Sequence, residues 1–188
     1  MTALFRCHLP TSSLSETTMI RAKAFLPFVL MSLLLVSACD NDSSNNNNNN
    51  GKSFNATVSG DRSESFGGSA LAVESHDATS GDVSWGVSLS DIDTGFKIIF
   101  AWDAARPGVG NYDLQDDGVA GKIDALLTLD SILDQYAAKS GRMTVTASSD
   151  SRVKATFNFQ ADYQGLDATR QGTSVLVSGS FEATNVVD

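Results

Sequence analysis

The stretch MTVTASSDSRVKATFNF, residues Met143 to Phe159, decides the fold class. Met143, Val145 and Ala147 alternate with threonine and serine. After Ser149-Asp150-Ser151, Val153, Ala155, Phe157 and Phe159 alternate with charged and polar residues. A period of two puts every apolar side chain on one face, which is the signature of a half-buried strand. Two such runs joined by a short polar break read as a β-hairpin.

The same alternation spreads outward in both directions. Toward the C-terminus, Val175, Val177, Gly179, Phe181 and Ala183 close the chain. Toward the N-terminus lie Phe54-Ala56-Val58 before Gly60-Asp61, Val83-Trp85-Val87-Leu89, and Phe96-Ile98-Phe100-Trp102. Asp93-Thr94-Gly95 separates the last two runs as a second hairpin turn. Gly67 to Val73, Asn111 to Leu114 and Lys122 to Leu129 carry weaker strand patterns. The expectation is a single all-β domain of about 8–10 antiparallel strands, either a β-sandwich or a β-barrel. One segment has an alternative: Ile123, Leu126, Leu127, Leu129, Ile132, Leu133 and Tyr136 also fit a helical stripe, so one short helix near 123–136 competes with strands.

Ahead of this domain, residues 42–51 read DSSNNNNNNG. A tract with nothing apolar to bury cannot offset the entropy of ordering, and reads as a tether of roughly 20 Å root-mean-square span. The preceding segment MIRAKAFLPFVLMSLLLVSACD, Met19 to Asp40, has basic Arg21 and Lys23, then a 13-residue apolar run from Ala24 to Val36, then Ser37-Ala38-Cys39. Those are the three parts of a secretion signal. The run is short of the roughly 20 residues a helix needs to span a bilayer. Met1 to Thr18 does not belong to a compact signal, which makes Met19 a candidate start and would leave Cys7 and His8 outside the natural protein.

Val36-Ser37-Ala38-Cys39 resembles the lipobox of bacterial lipoproteins. The resemblance implies cleavage before Cys39, a thioether-linked diacylglycerol on its sulfur and a further N-acyl chain. At about 0.8 kcal/mol per buried methylene, one chain binds marginally and two or more anchor stably. Asp40-Asn41 resembles the pair that, in enteric bacteria, retains lipoproteins in the inner membrane. The resemblance therefore implies a cell-envelope protein, at the periplasmic face of the inner membrane in preference to the outer membrane. In the C-terminal half, Gly141-Arg142-Met143-Thr144-Val145-Thr146, Arg152 to Phe159 and VLVSGSF (Val175 to Phe181) look like a group of β-rich envelope lipoprotein domains with no established activity. Gly110-Asn111-Tyr112-Asp113-Leu114 resembles that group's preceding strand, and Ala155 departs from its frequent glycine. No site residue follows from this likeness.

Charge and composition narrow the functional classes. Thirteen basic residues less Arg6, Arg21 and Lys23, and 22 acidic residues less Glu16, leave the mature chain at about −11. Such a surface argues against nucleic acid as a partner. Past Cys39 there is no cysteine, which excludes disulfides, thiol catalysis and thiolate metal sites. His76 is the one histidine of the domain; it sits beside Glu74 and Asp77, without the Gly-x-Ser-x-Gly elbow of a hydrolase. Asp91-x-Asp93-x-Gly95 and Asp113-x-x-Asp116-Asp117-Gly118 are acidic loops that lack the full ligand spacing of a calcium site and read as turns. Glu64, Glu74 and Glu182 show no sign of a glycosidase pair. Trp85, Trp102, Tyr112 and Tyr136 could line a ligand face, but Trp85 and Trp102 share the alternation of their apolar neighbours and read as core.

The expectation is thus a membrane-anchored lipoprotein with no cofactor, metal or catalytic residue. Its β domain binds or holds an envelope protein or polysaccharide. The alternatives are a lipocalin-like carrier of an apolar ligand and, behind it, an envelope hydrolase.

Overall fold

The structure, a computed structural model, describes residues 52–115, 121–130 and 133–187. Nine strands follow one another: β1 (Phe54–Gly60), β2 (Glu64–His76), β3 (Val83–Asp91), β4 (Phe96–Trp102), β5 (Gly110–Leu114), β6 (Asp124–Thr128), β7 (Gln135–Ser148), β8 (Arg152–Tyr163) and β9 (Ser174–Val187). A single 3-10 turn, Ala168–Arg170, interrupts the connection from β8 to β9.

The strands form a closed barrel, and the choice between sandwich and barrel falls to the barrel. Around the wall the order is β7-β6-β4-β3-β2-β1-β9-β8, with β8 pairing back to β7. β5 is the extra strand: it pairs Gly110–Leu114 with Val145–Gly141 on the edge of β7 that β6 leaves free. β1 has only seven residues, so it separates β2 from β9 over half their length. Beyond it, Leu71–Glu74 pairs directly with Thr184–Val187, the one parallel ladder between named strands among the described residues.

The 123–136 stretch is a correction to the helical alternative. Asp124–Thr128 is β6, and Tyr136 already belongs to β7; Ile132 lies outside the described residues. Helical spacing arose by chance because the short β6 and the start of β7 flank a turn. Inside the wall Ala125 and Leu127 point inward with period two, and β4 and β7 supply the hydrogen bonds that an isolated helix would have made for itself.

Inward positions are almost entirely apolar and buried. Phe54, Ala56 and Val58 come from β1, Trp85, Val87 and Leu89 from β3, and Val153, Ala155, Phe157 and Phe159 from β8. An eight-stranded barrel is just wide enough for side chains to fill. Here Phe100 reaches from β4 across to Phe157 at 5.3 Å, Phe181 at 6.0 Å and Phe159 at 6.2 Å between ring centroids. Outward positions are mostly serine, threonine, asparagine and charged residues, with Leu71, Ile99, Leu126 and Leu176 among the apolar exceptions. Among the described residues no helix is long and apolar enough to cross a membrane.

Both expected hairpin turns form. Gly95, at φ 74°, takes the left-handed conformation that lets β3 return as β4, while Ser149 and Arg152 exchange backbone hydrogen bonds across the β7–β8 turn.

Candidate functional site

The barrel has two ends and an outer wall, and each gathers a different set of side chains. The upper end carries the β1–β2, β3–β4, β6–β7 and β8–β9 connections. There Arg62 donates through Nη1 to Asp130 (2.8 Å) and Asp134 (3.3 Å), and through Nε to Glu64 (3.0 Å). Arg170, on the 3-10 turn, donates to the other oxygen of Asp134 at 2.7 Å and lies 3.5 Å from Asp61. Asp134, 15% exposed, thereby bridges two guanidiniums.

Arg170 also stacks over Tyr163 (4.9 Å) and Tyr136 (5.4 Å) and donates to the Tyr136 hydroxyl. The two tyrosine rings meet edge to face at 5.2 Å. Asp130 and its hydrogen bond, with the Coulombic pull of Glu64 and Asp134, hold the Arg62 guanidinium above its usual pKa. Burial opposes this for Arg170, but Asp134, Tyr136 and Asp61 outweigh it. At this end each of the two guanidiniums is taken up by carboxylates or rings.

Burial raises the pKa of the Tyr136 phenol, and Arg170 only partly offsets it. A group whose folded pKa lies above its unfolded value of about 10 stabilises the fold below that pH and loses the contribution as pH rises through the folded value. In an alkaline titration, the phenolate absorbance that disappears in Tyr136→Phe is therefore expected at a higher pH than that of a free tyrosine. Ionisation near pH 10 with native circular dichroism would mean that this phenol meets water.

At the lower end the β4–β5 loop folds across the opening. Its Pro107 is buried, the Arg106 amide donates to Glu74 Oε2 at 2.9 Å, and the Arg106 guanidinium reaches Asp150 at 2.8 Å. Tyr112 donates to the Gly108 carbonyl at 2.9 Å and packs against Trp102 at 5.3 Å. Trp85 is fully buried beneath, paired in register with Trp102, which is half-buried. The core reading of the two tryptophans holds in full for Trp85 and in part for Trp102.

The residues weighed for chemistry do not converge. His76 is 51% exposed at the end of β2, and its Nε2 lies 3.4 Å from Glu74 Oε1, with no serine in the pair. Asp77 spends its carboxylate on the amides of Ser80 and Thr79, which hold its pKa below the usual value. Asp91 likewise caps the amides of Asp93 and Gly67. Asp116, Asp117 and Gly118 lie outside the described residues, as does Cys39. Among the described residues no group of three metal-ligating side chains forms. Glu64 sits at the upper end, Glu74 at the lower end, and Glu182 on the outer wall, where its hydrogen bond to Lys154 and the nearby Arg152 keep its pKa low.

Sequence reading missed the Arg62–Asp134–Arg170 cluster. Arg62 and Asp130 are 68 residues apart and Arg170 and Asp134 are 36 apart, so no local spacing could reveal it.

The third region is the outer wall of β1, β9, β8 and β7. Register lines up Ser59, Leu176, Gln160 and Ser140 in one row, and Thr57, Ser178, Asn158 and Arg142 in the next. Four adjacent strands make each row about 14 Å wide. Leu176 (59% exposed) stands among these polar groups, and an open concavity of about 470 Å³ lies over Ser59, Ser140, Asn158, Gln160, Leu176 and Ser178. No protein-family model, curated protein or solved structure matches the chain. Fold alone defines its class: a closed, apolar-cored eight-stranded antiparallel barrel with one extra strand.

Proposed function

We propose that this chain is a cell-envelope lipoprotein, acylated at Cys39, whose barrel binds or holds a partner without catalysis. The observation that carries the reading is the filled barrel. Rings and aliphatic side chains from every wall meet at the centre, and both ends are closed by paired side chains or a pinned loop. Contact with a partner then falls to the outer surface, tethered through the polar tract 42–51. The lipobox-like Val36 to Cys39 supports the membrane attachment, and Asp40-Asn41 supports the inner membrane. The acidic surface weighs against nucleic acid.

Attachment is tested by expressing the full chain in bacteria supplied with an alkyne fatty acid. The wild type should take up the label and partition into detergent, while Cys39→Ser should lose both properties essentially completely. Unlabelled, water-soluble wild type would overturn the lipoprotein assignment.

The eight-stranded closure favours a second reading, a carrier of an apolar ligand, because barrels of this size also hold one small molecule. It requires the Phe100 cluster to part around the ligand. Native mass spectrometry of the protein purified from cells would show a bound lipid if this reading held, and only the acylated chain if it did not.

A further inference from the structure

Outward-facing apolar side chains are not spread evenly around the barrel. Leu71 on β2, Ile99 on β4 and Leu126 on β6 share one row, joined through Ser88 of β3. The adjacent row toward the lower end holds Val186 of β9, then Val73, Gly86 and Ala101. Among the described residues of the strands, Leu176 is the one outward leucine, isoleucine or valine that lies elsewhere. From β9 to β4 neither row carries a charge, and Asp124 ends the second on β6. Leu71, Val73, Ile99 and Leu126 are half-buried, and Val186 is 46% exposed. Contiguous outer surface of this kind marks a place where a protein meets a partner or another apolar phase.

The chain also enters the barrel beside this face. Ser53 is held between β2 and β9: its amide donates to the Gly68 carbonyl at 2.7 Å, its carbonyl accepts from Glu182 at 2.8 Å, and its Oγ accepts from the Ala70 amide at 2.6 Å. Below it the place of a longer β1 is taken, because Leu71–Glu74 pairs directly with Thr184–Val187. The filled interior leaves only the outer side, and Lys52 is exposed there. From these two observations we infer that the β2-β3-β4 face, flanked by Val186 and Leu126, rests on the surface of a lipid bilayer. Thirteen residues separate Cys39 from Lys52, a coil of about 20 Å span and at most about 45 Å when stretched. An acyl anchor on such a tether holds the face nearest its exit at high effective concentration against the membrane. A free partner or a second copy has no such built-in proximity. The contact is apolar and uncharged, so it does not depend on salt. The inference rests on the lipoprotein reading above and adds which side of the barrel meets the membrane.

The test expresses the full chain in bacteria, purifies it in detergent and reconstitutes it into phosphatidylcholine vesicles. Past Cys39 the chain has no cysteine, so Ser88→Cys and Asn158→Cys can each carry a single environment-sensitive fluorophore. Ser88 is on β3 and Asn158 on β8, which face each other across the ring of strands. On reconstitution the probe at 88 should shift its emission to the blue and be quenched by spin-labelled lipid, at low and high salt alike. The probe at 158 should keep its aqueous emission and escape quenching. Adding Leu71→Asp and Ile99→Asp should return the probe at 88 to aqueous emission while the protein still floats with the vesicles. Both side chains point outward, and circular dichroism checks that the barrel persists; the comparison of the two probes stands whether or not this variant folds. Aqueous emission from both probes on floating protein would overturn the inference and leave the lipoprotein reading in place. A blue shift at 88 that spin-labelled lipid does not quench would put a second copy or the chain's own tether on the face, and would overturn it too. Protein that carries no acyl group and does not float would remove both readings.

Discussion

Phe100→Ala is expected to lower the unfolding free energy by about 3–5 kcal/mol, close to the largest loss a single core truncation produces. Phe100 is fully buried, and its ring meets three others that project from β8 and β9 on the facing wall. Removing it deletes the transfer free energy of the ring and leaves a hole that strands tied into a closed wall cannot collapse to fill. A domain of this size has only about 5–15 kcal/mol to lose. Urea unfolding followed by tryptophan fluorescence, with Trp85 as the buried reporter, should show the midpoint displaced by roughly 2 M at unchanged slope. A loss below about 1 kcal/mol would mean that the interior is loosely filled. That result would bring the carrier reading forward.

The second large effect is expected at Gly179. A Cβ there would lie 2.2 Å from the Asn55 carbonyl oxygen, 2.6 Å from the Phe157 ring and 3.0 Å from the Ala56 Cα. Two of these three neighbours are backbone atoms of β1, so no rotamer change relieves the contact. Gly179→Ala should cost at least the 1–3 kcal/mol typical of overpacking, and Gly179→Val should prevent β1 from docking between β2 and β9. Gly108→Ala is the matched control: its added methyl meets nothing within 4 Å, and its stability should stay within about 0.5 kcal/mol of wild type. Equal melting temperatures for Gly179→Ala and Gly108→Ala would contradict the close approach of β1 to β9.

Alternation made the strands legible because burial on one face of a pleated chain imposes period two whatever the neighbours are. Phe54-Ala56-Val58, Phe96-Ile98-Phe100 and Val153 to Phe159 all point inward as their spacing requires. Legibility failed where that signal thinned. β7 begins at Gln135, yet its first residues, Gln135 to Arg142, mix alanine, lysine, serine and glycine across a bulge between Ala138 and Ser140. A bulge shifts the alternation by one residue, and the leucines before it supplied a false helical stripe.

For the candidate sites the division is sharper. That Asp91 and Asp93 serve a turn could be read from spacing. The bridging of Arg62 and Arg170 by Asp134, and the rows of hydroxyls and amides across four strands, could not, since each joins residues far apart in the chain.

By itself, then, the sequence determined the all-β class, the inward and outward faces, the two hairpin turns and the absence of thiol chemistry from the domain. These are local properties: each depends on a residue and its near neighbours in the chain. Tertiary structure alone decided that the sheet closes, that β2 and β9 meet in parallel where β1 runs out, and that β5 and β6 share one edge of β7. Period two says which way a side chain points and is silent on which strand lies beside it. That choice is made by the wall that best seals the apolar side chains from water while pairing the backbone groups of its strands.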